Sequence, residues 1–192
     1  MRLIDHIAAA VTLRHDDEAA LLGDDVRWDA TFTPAAVLIA IVDCPEPRLI
    51  LTQRPDHMRN HAGQIAFPGG RVDESDSDAV AAALREAQEE IGLPPDRVRL
   101  LGTSDTYRTG TGFSITPVIG LISPGVALEA NPHEVSAVFD VPLDYVFNPQ
   151  NQLAKSGQWR GKMRDYYEIV WQEHRIWGAT AGIIVNLTRR LS

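Results

Sequence analysis

The chain predicts an α/β sandwich built on a mixed β-sheet, and three observations carry that reading. Residues Ala35–Asp43 form a continuous apolar run typical of a buried strand. A helix beginning near Ala79 is stopped by Gly92 and Pro94-Pro95, a left-handed cap followed by residues that cannot continue it. A final helix, Ala179–Leu191, sets Ile183, Ile184, Leu187 and Leu191 on one side. Strand-like segments surround these helices without internal repeats or low-complexity stretches, which favours one domain over residues 1–192.

From the N-terminus, Ile4, Ile7 and Val11 recur at helical spacing and predict an amphipathic helix packed on the domain. Asp5 and His6 interrupt the apolar core that a signal peptide would need. Residues 12–33 are polar and charged, and are expected to form a loop over one sheet edge. Arg48–Arg54 alternates as a neighbour of Ala35–Asp43. Phe67-Pro68-Gly69-Gly70 combines a rigid residue with two permissive ones and predicts a turn. The acidic loop Asp73–Asp78 follows, with Ser75 and Asp78 spaced as a capping box before the helix-forming run Ala79–Ala83. Further strands are expected at Arg97–Tyr107, Phe113–Ile122, Val126–Ala130, Val135–Val141 and Tyr166–His174. A turn at Thr109–Gly112 joins two of them, and a short helix is expected at Pro142–Phe147.

Composition narrows the function. The chain has 192 residues, 44% of them apolar, yet lacks the long apolar run of about eighteen residues that marks a membrane span. A net charge of −8 argues against a nucleic-acid-binding surface. The lone cysteine, Cys44, cannot form an internal disulfide, fits a reducing cytoplasm and is expected to be buried and inert at a strand end.

The chemistry concentrates in Arg85-Glu86-Ala87-Gln88-Glu89-Glu90-Ile91-Gly92-Leu93. Glu86, Glu89 and Glu90 share one helix face, where like charges oppose the helix unless a cation neutralises them. An isolated run of this kind is more often a solvated face. Here a glycine-bearing loop feeds the helix, and the acids sit near its C-terminal end, where the helix dipole also favours a cation. An all-oxygen cluster suits a hard divalent ion, Mg²⁺ or Mn²⁺, that bridges to substrate phosphate.

Gly70 through Leu93 resembles the Nudix box, G-x5-E-x7-R-E-U-x-E-E-x-G-U with U apolar. Arg85–Leu93 fits throughout. The interval from Gly70 to Arg85 is one residue longer than the pattern, so its first acid falls on Asp76 counted from Gly70, or on Ser77 counted back from Arg85. Leu51-Thr52-Gln53-Arg54 and Met58 through Gly70 are similar to the segment before the box in coenzyme A pyrophosphatases, as are the longer acidic loop and His174–Ala181. The resemblance spans about residues 35–190. It implies a Nudix-type α/β/α sandwich with a mixed sheet, and a metal-dependent hydrolase splitting coenzyme A into 4′-phosphopantetheine and 3′,5′-ADP.

On that reading, Glu86 and Glu90 are the main ligands for Mg²⁺ or Mn²⁺, and both side chains are expected to face solvent. Glu89 is a further ligand or the base for the attacking water, with Glu134 as an alternative base. Arg85 holds a glutamate or the loop in place. Arg54, Arg59, His61, Gln64, Gly70 and Arg71 are candidate substrate contacts. Phe113 and Trp177 could stack on adenine, Trp177 fitting better as core. Alternatives are a Nudix enzyme for another nucleoside diphosphate derivative, such as ADP-ribose or an oxidised nucleoside triphosphate, and a non-catalytic nucleotide-binding module. A homodimer through the N-terminal helix stays open.

Overall fold

A computed structural model describes residues 2–12, 31–56, 62–159 and 161–191. Arg59, His61 and most of the expected loop at 12–33 lie outside them.

The centre of the main sheet is β1 (Thr33–Val42), parallel to β7 (Phe113–Ile122) from Thr33↔Phe113 to Val42↔Ile122. Alternation along β1 separates two cores. Ala36, Leu38 and Ala40 join Ile50, Val118 and Ala82, Ala83, Ala87 and Ile91 of α2 (Ala79–Ile91). Ile39 and Ile41 join Leu49, Leu51 and Ile119 with Ile4 and Ile7 of α1 (Leu3–Thr12) and Ile183, Ile184 and Leu187 of α4 (Ala179–Arg190). A sheet covered on both faces needs apolar residues on both, hence the unbroken run in β1.

Next to β1 lies β2 (Arg48–Gln53), antiparallel at Ile41↔Leu49, and beyond that point the two strands splay. The far half of β2 pairs with β3 (Ile65–Ala66), while the first half of β1 pairs with β4 (Gly69–Arg71). Phe67-Pro68 crosses the gap, tied by Leu38 N–H donating to the Pro68 carbonyl at 2.8 Å. The expected turn at 67–70 is therefore a crossing whose glycines continue as a strand. Gly69 is required there, because a Cβ would lie 2.7 Å from Val37 Cα.

β8 (Ala137–Pro142) completes one edge beside β2, and β5 (Val98–Thr103) and β6 (Tyr107–Arg108) pair with β7. The strand expected across 97–107 is thus two, interrupted where Ser104 N–H donates to the Pro117 carbonyl. Val126–Ala130 is not a strand. Its end is claimed by the open carbonyls of α2, with Glu129 N–H on Ile91 and Asn131 N–H on Glu90.

A second, antiparallel sheet orders as β11 (His174–Trp177), β10 (Lys162–Trp171) and β9 (Leu153–Trp159). The strand expected at 166–174 starts earlier and breaks at a tight turn, where Gln172 has φ 52°. Ile169 and Ile176 anchor this sheet to the core. The expected short helix is α3 (Leu143–Phe147). Cys44 is half-buried just beyond β1, its thiol donating to the Glu46 carbonyl, rather than sealed in the core. No helix among the described residues is long and apolar enough to cross a membrane.

The cap of α2 departs from the expected box. Asp78 itself is the N-cap, its carboxylate accepting from Ala81 N–H at 2.8 Å, and Gly92 closes the helix at φ 65°. Asp78→Ala should therefore destabilise the fold by about 1 kcal/mol, and Ser75→Ala by less than about 0.5 kcal/mol. Urea midpoints of the two variants check the assignment.

Candidate active site

The pairing of β4 with β1 slides two glycine backbones under α2. A Cβ on Gly70 would fall inside the Glu86 carboxylate, and Gly69 N–H donates to Glu90 Oε2 at 3.1 Å. Glu86 and Glu90, one helical turn apart, thus rest on successive glycines. Glu90 is only 6% exposed and the Glu86 side chain 15%, against 51% for Glu89. The expectation that Glu86 and Glu90 face solvent is therefore wrong for both. The glycines let the strand come close enough to strip water from these two.

Burial shows in their proton affinity. Desolvation pushes the Glu90 carboxyl up to about 7, with repulsion from Glu86 and Glu134 adding to it; the Gly69 N–H and the Arg54 charge oppose it. Glu86 is raised for the same first reason and is held back by Arg85.

Arg85 is the connector of the site. Its Nε and Nη2 grip Asp76 Oδ1 and Oδ2 at 3.0 and 2.9 Å, and Nη2 also donates to the Arg71 carbonyl at 3.1 Å. Nη1 spans Glu86 Oε1 and Glu89 Oε2, each at 3.0 Å. Such a two-pronged grip needs the guanidinium fork. Asp76 is 5% exposed at its side chain, and Arg85's hydrogen bonds hold its carboxyl below the usual carboxylate range. The same contacts keep Arg85 protonated. Of the two residues that counting left open, Asp76 takes the first acidic position.

Glu134 arrives from the loop before β8. Asn131 N–H donates to the Glu90 carbonyl at 2.8 Å, and Asn131 Nδ2 donates to Glu134 Oε1 at 3.4 Å. The half-buried Glu134 is thereby hung on the last turn of α2, where its charge acts on both Glu86 and Glu90. Sequence reasoning missed Asn131; the turn-forming Asn131-Pro132 pair was its one visible signal.

Among the remaining candidates, Arg54 follows β2, its N–H donating to the Gln64 carbonyl at 2.9 Å and its charge reaching Glu90. Gln64 thus stands at the same edge. Arg71 is exposed, with its guanidinium 5.5 Å above the ring of half-buried Phe113. Trp177 is not core. It is half-buried on β11, edge-on to Tyr166 at 5.9 Å and covered by Arg175 at 5.0 Å.

A divalent cation fits this donor set. Two desolvated carboxylates at the negative end of a helix offer oxygen ligands whose charge water no longer compensates. Among the described residues no three His, Cys, Asp or Glu side chains form a closed cage. Mg²⁺ rarely uses one, taking one or two carboxylates with water and substrate phosphate.

Comparison with known proteins identifies the family and the fold. The family model described as NUDIX domain matches residues 32–162. The chain is 44% identical over 157 residues to the uncharacterized Nudix hydrolase NudL of Escherichia coli K12, covering 82% of each chain, and equally to NudL of Shigella boydii serotype 4. Its fold resembles a Nudix hydrolase from M. smegmatis, RenU, with TM-score 0.51 and 23% identity over 67% of this chain and 82% of that one. It also resembles a C. elegans Ap4A hydrolase binary complex, with TM-score 0.50 and 20% identity over 57% and 80%. On the family match and the identity to NudL, the chain belongs to the Nudix family.

Proposed function

We propose that the protein is a Mg²⁺- or Mn²⁺-dependent pyrophosphatase that hydrolyses the diphosphate of coenzyme A. Water would add across the P–O–P bridge, releasing 4′-phosphopantetheine and 3′,5′-ADP. The observation that carries the reading is the seating of Glu86 and Glu90 on Gly70 and Gly69, which leaves two desolvated carboxylates side by side. The coenzyme A assignment draws support from the resemblance of the segment before the box, whose Arg54 and Gln64 join backbones beside Glu90.

In this mechanism Glu86 and Glu90 would hold the cation, and Arg85 orients Glu86 and Glu89 from its anchor on Asp76. A bound divalent ion supplies neutralisation of the diphosphate oxygens and a more acidic water. Glu89 or Glu134 would take the attacking water's proton at its carboxylate. Arg54 meets the negative charge of the diphosphate, with Gln64 and Gly70 at the same edge. Arg71 lies to the other side of Gly70.

Coenzyme A incubated with Mg²⁺ or Mn²⁺ should give the two named products, and a chelator should abolish them; mass spectrometry of the mixture reads both. Coenzyme A turnover no better than that of ADP-ribose or 8-oxo-dGTP would overturn the substrate assignment.

Glu86→Gln and Glu90→Gln should each lower kcat by about two to four orders of magnitude, equivalent to several kcal/mol of lost charge stabilisation. Unchanged hydrolysis by Glu90→Gln would take that carboxylate out of the reaction, whereas metal-independent coenzyme A binding without hydrolysis would favour a binding module.

Glu90 also makes a prediction about the metal-free fold. The folded state keeps a proton that the unfolded chain releases, because the carboxyl rises from 4.5 to about 7 on folding. Stability therefore falls as pH climbs through that window, by about 3 kcal/mol in full. Glu90→Gln removes this dependence and should be the more stable protein above pH 7. Urea unfolding in chelator at pH 5 and pH 8 measures it.

A further inference from the structure

A depression of about 630 Å³ lies between the end of β2 and the loop before β8. Its lining is Pro55, Asp56, Ala130, Pro132, Val135 and Ser136. The volume falls within the range of small-molecule sites, roughly 300–1,000 Å³. Both walls are fixed to the active site. Pro55 follows Arg54, whose charge reaches Glu90, and the opposite wall flanks Asn131 and Glu134, which hang on the Glu90 carbonyl. Ser136 ties the walls together, its N–H and its hydroxyl both donating to the Gln53 carbonyl at 2.8 and 3.0 Å.

The chemistry of the two ends of the site differs. Glu86 rests on Gly70, whose neighbour Arg71 places a cation over Phe113. Glu90 rests on Gly69 and feels the charges of Arg54 and Glu134, whose chain neighbours Pro55 and Val135 line the depression. Four of the six lining residues are apolar, and the charged one is Asp56. A phosphomonoester carries about −1.5 to −2 charges. It would be repelled by Asp56 and by neighbouring Glu134, whereas Arg71 and Phe113 offer a cation and a ring.

We infer that the depression receives the uncharged arm of the diphosphate substrate, with Asp56 selecting against arms that end in an anion. The phosphorylated nucleoside then lies towards Arg71 and Phe113. This placement rests on the coenzyme A reading and adds an orientation to it.

The test compares kcat/KM for coenzyme A, its neutral acetyl thioester and its anionic succinyl thioester. The wild type should cleave the first two alike and the succinyl form roughly tenfold less well, the order expected of one like-charge contact near a protein surface. Asp56→Asn should remove most of that difference. Ala130→Trp, which fills the depression, should weaken product inhibition by 4′-phosphopantetheine roughly tenfold while inhibition by 3′,5′-ADP persists, a result that also shows the variant to be folded. Equal cleavage of the acetyl and succinyl forms by the wild type would overturn the inference. So would a loss of 3′,5′-ADP inhibition in Ala130→Trp with 4′-phosphopantetheine inhibition intact, which would reverse the orientation. Either result leaves coenzyme A hydrolysis standing. Failure of the wild type to cleave coenzyme A at all would remove the functional reading and this placement with it.

Discussion

The contact of β4 with α2 is the constraint on which the site depends. Without side chains, Gly69 and Gly70 can pair with Val37 and Ala36 on one side and lie against Glu90 and Glu86 on the other. That approach removes water from two carboxylates that a helix would otherwise present to solvent. Removing water raises their proton affinity, and by the same physics it raises their demand for any cation able to replace the proton. One backbone contact thus sets the solvation and, on the proposed reading, the chemistry. A methyl at position 70 would displace the Glu86 carboxylate before changing anything else.

Arg85 solves the problem that this burial creates. Asp76, Glu86 and Glu89 crowd around Arg85, and its single guanidinium contacts all three while also closing on the Arg71 carbonyl. A lysine would supply the charge but not the planar fork. Glu90 is left outside this network; the Gly69 N–H donates to its Oε2, and burial pushes its carboxyl up to about 7. The division suggests separate duties. Glu86 is oriented by an arginine, whereas Glu90 is fixed by the backbone.

The parts of this architecture set by local physics were legible in the sequence. Phe113–Ile122 is read at its true bounds because its second half is buried on both faces and a glycine turn precedes it. The end of α2 is read from Gly92 for an equally local reason. β9 escaped because its sequence, Leu-Ala-Lys-Ser-Gly-Gln-Trp, forms a largely exposed edge strand without apolar alternation. Glu90 was read as solvent-facing because helix periodicity places it on an acidic stripe. Only the pairing of Gly69 with Val37, distant in sequence, shows that the stripe is covered. Counting likewise could not choose between Asp76 and Ser77, a choice that the Arg85 fork makes in three dimensions.

The loop before β8 shows how satisfying a helix end can also build a site. The last carbonyls of α2 have no partners within the helix. Glu129 and Asn131 donate to two of them, which accounts for why Val126–Ala130 does not form the strand its apolar residues suggest. The same bonds fix the loop to the helix that carries Glu86 and Glu90, and the Asn131 side chain then positions Glu134. A carboxylate held in this way moves with the helix rather than with the loop. The distance between a base at Glu134 and a cation at Glu90 would therefore be set by helix capping, so weakening the Asn131 contacts would disturb catalytic geometry without touching a catalytic group.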